Sequence, residues 1–365
     1  MSQIHEVTTY LETIAPRSYQ ESYDNAGLIT GNPQAEVSGV LISLDAIESV
    51  VAEAIEQNCN LIIAHHPIIF KGLKSLTGRN YIERTIIKAI KHDIAIYAIH
   101  TNLDNVYNGV NAKIAEKLKL QQTRVLVPKS QTLRKLITFV PQEDAESVLN
   151  ALSEAGAGNI GNYQNCSFQV SGTGTFQPNE RANPHIGESG KLEQVEEQRI
   201  EVILPAHQTN RVLQALRTAH PYEEVAYYLH NLENENQEVG SGMIGQLAEA
   251  MPPADFLNHL KEQMNLSVIR HTAVVDRSVQ TVAICGGAGS FLLPQAIRQK
   301  ADVFVTADFK YHEFFDADGH LIIADIGHYE SEVYTKELIQ EFLCEKFVNF
   351  AVRLAKANTN PVFYT

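Results

Sequence analysis

The sequence is poor in cysteine, in basic residues and in long apolar runs. Its four cysteines among 365 residues (Cys59, Cys166, Cys285 and Cys344) are scattered, with no CxxC pair. That scarcity excludes a disulfide framework and a zinc–thiolate site, and it points to a reducing, cytoplasmic setting. Lys and Arg number 29 against 43 Asp and Glu, a net charge of −14. Broad binding to a phosphate backbone needs the opposite balance, so nucleic acid is not expected as a partner. A small anion held in a locally positive pocket is still compatible with that charge. No stretch approaches the roughly 18 apolar residues of a membrane span, and no charged segment followed by an apolar run opens the chain. Neither a membrane span nor a leader is therefore expected.

With 44% apolar and 20% charged residues, the composition is that of an ordinary globular protein. At about 150 residues per domain the length suits two or three domains. In the first part, short apolar runs at 39–44, 60–64 and 94–99 alternate with stretches of helical spacing at 46–57 and 81–92. This pattern predicts an α/β layered sheet, at least partly parallel. From about Pro128 the texture changes. Candidate strands at 135–140, 167–170, 199–204 and 225–229 enclose candidate helices at 143–154 and 208–219, with a polar segment at 177–197. The order β-α-β-β-α-β is that of a ferredoxin-like α+β domain.

After Gly240-Ser241-Gly242 the first texture returns, with runs at 281–285, 302–306 and 321–326 and a closing helix at 331–347. The expected fold is α/β, a pseudo-duplicated core of two similar halves interrupted by a ferredoxin-like insert. The boundaries are 1–127, 128–238 and 239–365.

Three polar clusters follow apolar strands, where open α/β sheets build sites. Ala64-His65-His66-Pro67 places two imidazoles in succession. His100-Thr101-Asn102-Leu103-Asp104 ends in a carboxylate, and Gly327-His328-Tyr329-Glu330-Ser331-Glu332 sets His328 and Glu332 four apart, on one face of a starting helix. Each has a bland reading alone: a structural imidazole, a helix N-cap at Asp104, a polar pair at a helix start. Together they offer three His and two carboxylates (His65, His66, Asp104, His328, Glu332) and no thiolate. Such an N/O set with a bridging carboxylate suits two first-row cations (Zn, Mn, Fe or Ni) better than Mg or Ca. Two such ions can make a shared water acidic enough to act near neutral pH.

Two further motifs bear on a substrate. Cys285-Gly286-Gly287-Ala288-Gly289-Ser290 has the look of an anion-cradling loop but lacks the Gly-Lys-Ser/Thr of a P-loop. Thr306, Asp308, Lys310 and His312 alternate along an extended stretch, and Lys310 with His312 could meet an anion or donate a proton. The other histidines (His92, His185, His207, His230, His259, His271 and His320) are isolated and read as surface or structural groups, and His220 as part of a turn.

These motifs, together with Tyr23-Asp24-Asn25-Ala26-Gly27-Leu28, stand in the order of a known family. The chain resembles the toroidal dinuclear-metal proteins called GTP cyclohydrolase I type 2 homologues, the NGG-one-interacting-factor-three family. Residues around Ala219-His220-Pro221-Tyr222-Glu223-Glu224 resemble the insert of its longer members, which is similar to the PII and CutA folds. Tyr23, where many members have Trp, and Ala307, where many have Gly, depart from the pattern.

The resemblance implies two metal ions on His65, His66, Asp104, His328 and Glu332, with His100 and Asp308 behind them. It implies a homohexameric ring, a trimer of dimers, and hydrolysis of a nucleotide-like substrate. In that reaction His312 or Glu330 would move protons, while Lys310, Gly287, Gly289 and Ser290 would hold phosphates. The alternative is a metal-bearing ring that binds a metabolite or partner without turnover.

Overall fold

The computed structural model describes residues 2–365, which divide into two compact units, 2–128 with 237–365 and 129–236. In the first unit one sheet runs in the order Gly27–Thr30, Ala95–Ala98, Leu61–His66, Gly39–Asp45, Ala351–Leu354. Only Gly27–Thr30 is antiparallel to its neighbour. A second sheet runs Arg270–His271, Ile322–Asp325, Val303–Ala307, Val279–Ala288, Gly240–Met251, Gln121–Pro128. Its three strands Val279–Ala288, Val303–Ala307 and Ile322–Asp325 are parallel, and the flanking strands are antiparallel.

Strand alternation divides the apolar side chains between layers. Leu61 and Ile63 enter a core shared by both sheets, where they meet Val282, Ile284, Val303 and Val305. Ile62 and Ala64 point the other way, under the helices Glu48–Glu56 and Tyr81–Lys91. Both faces are buried, so these strands read as unbroken apolar runs.

The second unit is a four-stranded antiparallel sheet in the order Ser167–Phe176, Glu193–Pro205, Leu133–Pro141, Tyr227–Asn231. Helices Ala145–Glu154 and Thr209–Ala219 pack on one face through Val148, Leu152, Val212 and Leu216. The strand expected at 199–204 begins at Glu193. It draws five residues of the polar segment into a ladder with Ser167–Phe176, because backbone pairing along an edge does not require apolar side chains.

Two local expectations change. Asp104 is the last residue of a one-turn helix, Thr101–Asp104, and not an N-cap. The closing helix is two, His328–Glu332 and Thr335–Lys346, joined through Val333 and Tyr334 in right-handed helical conformation. The short first helix is the one that carries His328 and Glu332.

Candidate metal centre

Three strand ends and two short helices converge on a cavity of about 1410 Å³ in the first unit. His65 and His66 end the strand Leu61–His66, and Asp45 lies opposite His66 on the adjacent parallel strand. Asp104 arrives on the turn of helix after Ala95–Ala98, and His328 and Glu332 on the helix after Ile322–Asp325.

Each imidazole is aimed by its Nδ1. His65 Nδ1–H donates to the Ile99 carbonyl at 2.8 Å, which turns Nε2 toward Asp104. His66 Nδ1–H donates to Asp45 Oδ1 at 2.8 Å, and His328 Nδ1–H to Asp308 Oδ2 at 2.7 Å. His100 Nδ1–H donates to Asp24 Oδ1 at 2.8 Å, while the other oxygen of Asp24 accepts from the Thr101 amide and hydroxyl. The Nε2 atoms of His66 and His328 lie 2.9 and 3.1 Å from Glu332 Oε2 and 3.3 Å from each other. Carboxylate-oriented imidazoles of this kind are the usual support of metal ligands.

Three sets of side chains bring ligand atoms within 4.8 Å of one another: His65 with His66 and His100, His66 with His328 and Glu332, and His65 with Asp104 and Glu332. All five residues expected as ligands are therefore together. His100, expected behind them, stands within ligand distance of His65 and His66, and Asp308 stands behind His328. Two side chains, His65 Nε2 and Asp104 Oδ1, are buried without any hydrogen-bond partner, although they are 3.5 Å apart. An unpaired buried donor or acceptor is costly, about 1–3 kcal/mol each, so the pair fits a cation's place.

The electrostatics agree. Burial pushes the Asp104 carboxyl well above the carboxylate range, and the charge on Glu332 pushes it further. Burial would raise Glu332 too, but hydrogen bonds from His328 and His66, with the charge of His328, outweigh it and hold Glu332 well below that range. Burial would lower His66 and His328, yet their carboxylate partners raise them to about 10 and about 9. Burial lowers His65, which keeps its ring neutral. Protons thus occupy places that a cation would take. Burial, followed by the charges of Asp104 and Glu332, pushes the Cys285 thiol up, so it remains protonated beside the cluster.

The glycine loop forms a wall of this cluster. Gly287 has φ +64°, and a Cβ there would lie 2.3 Å from Glu332 Oε1. The amides of Gly286 and Gly287 donate to Asn111 Oδ1 and Ser331 Oγ, so neither is free to cradle an anion. Gly289 packs as closely, since its Cβ would lie 2.3 Å from Thr306 Oγ1, and Ser290 opens the turn Ser290–Leu292. Lys310 is 85% exposed, and neither it nor His312, which stacks on Phe315, lines the cavity. Glu330 does, with Oε1 accepting from Asn360 Nδ2.

Sequence reasoning assigned no role to Asp24, Asp45 or the chain's end. Asp24 lies in a noted motif, and Asp45 follows a buried strand, which is the signal that marked His66. Thr359, whose hydroxyl donates to Asp45 Oδ2 at 2.6 Å, and Asn360 carry no local signal, because their contacts are made some 314 and 30 positions away in the chain.

The chain is similar to known proteins over nearly its whole length. The pattern of the family Duf34/NIF3 (NGG1p interacting factor 3) matches residues 2–361. A protein of Halalkalibacterium halodurans named GTP cyclohydrolase 1 type 2 homolog is 41% identical over 361 residues, covering 97% of each chain. One of the same name from Bacillus subtilis is 38% identical over 361 residues, covering 98% of this chain and 97% of its own. The crystal structure of a Bacillus cereus protein related to NIF3 superposes with a TM-score of 0.88 at 41% identity, covering 100% of this chain and 99% of that one.

Proposed function

Because the chain belongs to the Duf34/NIF3 (NGG1p interacting factor 3) family, we propose that it is a dinuclear-metal hydrolase acting on a nucleotide-like anion. The observation that carries the reading is the orphaned pair His65 Nε2 and Asp104 Oδ1 inside a cluster of His and carboxylate donors. His65, His66, Asp104, His328 and Glu332 would hold two divalent transition-metal ions (Zn, Mn, Fe or Ni), with His100 close enough to join them. When bound, such ions supply Lewis-acid polarisation and a more acidic water. Asp45, Asp308 and Asp24 keep the imidazoles turned inward, and the Gly287 wall keeps Glu332 in place. Glu330, at the cavity wall, is the side chain best placed to move a proton at a bound substrate. Lys310 and His312 would act on substrate only after moving toward the cavity.

The further proposals are a duplicated core of two similar halves, a ferredoxin-like PII/CutA-type insert at 128–238, a homohexamer built as a trimer of dimers, and a cytoplasmic location. The first rests on the parallel three-strand group present in each sheet, the second on the strand order of the smaller unit. No helix among the described residues is long and apolar enough to cross a membrane.

The test is elemental analysis of purified protein, with up to two transition-metal ions per chain expected, followed by assay of Zn- or Mn-loaded protein against GTP and a nucleotide panel. His65→Ala and Glu332→Ala should abolish turnover while the oligomer remains intact. A metal-loaded protein that turns over no nucleotide would favour a regulatory, metabolite-binding ring instead.

A further inference from the structure

The unit at 129–236 has a cleft of its own, about 650 Å³, over the sheet face that the helices leave open. Phe139, Arg199 and Val170 are paired across three adjacent strands and so share that face. The cleft's walls are aromatic. Phe139 stands against Tyr228 with ring centres 5.8 Å apart, and Phe176 against Tyr222 at the same distance.

A carboxylate sits at its floor. Glu197 is 9% exposed, and its Oε1 accepts the Tyr222 hydroxyl at 3.2 Å. A Cβ on Gly174 would lie 2.0 Å from its Oε2, so the edge strand runs close against the carboxylate. Among the described residues no Lys, Arg or His lies within 4 Å of Glu197 as an ion partner. Arg199 and His185 are the basic side chains on the cleft's lining; Arg199 Nη2 is 2.7 Å from Glu201 Oε1 and so already paired, and the His185 ring lies 6.3 Å from that of Tyr222. Glu223 and Glu224 add negative charge at the rim.

A buried carboxylate lacking a counter-ion is costly, and aromatic faces attract cations. We propose that this cleft binds a small organic ammonium cation, whose charge meets Glu197 and whose alkyl groups lie against Phe139, Phe176, Tyr222 and Tyr228. The site is pre-formed around His220. His220 Nε2–H donates to the Phe139 carbonyl at 2.9 Å and its Nδ1 accepts the Tyr222 amide at 3.1 Å, which fixes both walls. Burial, aided by the Glu197 charge, pushes the Tyr222 hydroxyl up to about 12, so it remains a donor to the carboxylate. A phosphate or carboxylate ligand would face Glu197, Glu223 and Glu224 on one lining, where the single guanidinium, Arg199, is already paired with Glu201, and the cleft contains no metal-ligating cluster among the described residues.

The experiment is calorimetric titration of the full chain with tetramethylammonium and with spermidine, using ATP and citrate as anionic comparisons. Saturable binding of an ammonium probe is expected, weakened at least tenfold by Glu197→Gln. That variant keeps the shape and still accepts the Tyr222 hydroxyl. Tyr222→Phe, which keeps the ring, should change affinity by only a few-fold. Unaltered melting of both variants would show that the unit is folded. Absence of saturable ammonium binding to the wild-type chain, equal affinity in Glu197→Gln, or tighter binding of ATP or citrate at this unit would each overturn the assignment.

Discussion

His65 Nε2 and Asp104 Oδ1 face each other across 3.5 Å, and neither atom has a hydrogen-bond partner in the protein. A neutral imidazole lone pair and a carboxylate oxygen repel at that distance unless a proton or a cation lies between them. With no metal bound, burial and then the charge on Glu332 push the Asp104 carboxyl up toward its protonated form. Zn or Mn should therefore raise the melting temperature, by an amount corresponding to about 2.7 kcal/mol when free metal is a hundredfold above Kd. His65→Ala should remove the shift. A melting curve indifferent to every divalent transition metal would count against the centre.

Asp45 acts on the centre through His66, holding Nδ1 at 2.8 Å while Thr359 steadies its other oxygen. Asp45→Asn should weaken metal binding about 10–100-fold with little effect on global stability, as outer-shell changes generally do. Competition with a chelating dye would measure it. Thr359→Val should give a smaller loss in the same direction.

Gly287 combines φ +64° with the 2.3 Å approach of its missing Cβ to Glu332 Oε1. Gly287→Ala should cost about 1–3 kcal/mol of backbone strain and displace Glu332. Reduced metal stoichiometry, read by elemental analysis on protein that still melts cooperatively, is the expected result. Full metal content would show that the wall is not needed.

On the acid side, Glu83 is informative because it is remote from the centre. Its carboxylate accepts the Thr77 and Arg79 amides and the Thr77 hydroxyl, which hold its pKa down at about 2. A depressed folded-state pKa gives stability that is present above the unfolded value near 4.5 and is lost as pH falls toward about 2. Glu83→Gln should flatten that part of the stability–pH curve between about pH 5 and 2. Urea midpoints measured across this range would decide.

The cavity lining ranks the candidate proton and anion groups. Glu330→Gln should lower nucleotide turnover at least about a hundredfold, the lower end of the general acid–base range. Lys310→Ala and His312→Ala should leave it within about twofold, because their side chains lie off the lining. Steady-state assays of the three variants would separate them, and a large loss in Lys310→Ala would return the anion contact to that residue.

Much of this was legible in the sequence because the relevant signals are local. Runs buried on both faces mark the strands Leu61–His66, Val303–Ala307 and Ile322–Asp325, and polar residues immediately after them mark the site. His65, His66, Asp104, His328 and Glu332 could be picked out by position alone. The sequence could not show that His100 faces the ligands, since that depends on Asp24 turning its ring from 76 positions away. Nor could it show that the glycine loop makes room for Glu332. Alternating residues at Lys310 and His312 suggested a shared face, but the chain there coils into the short helix Tyr311–Ala317, where Lys310 lies open to solvent. Residue type and strand periodicity are properties of neighbours in the chain. Ring orientation, close approach and the shape of a cavity depend on partners far apart in sequence, and only the packing of the tertiary structure decided them.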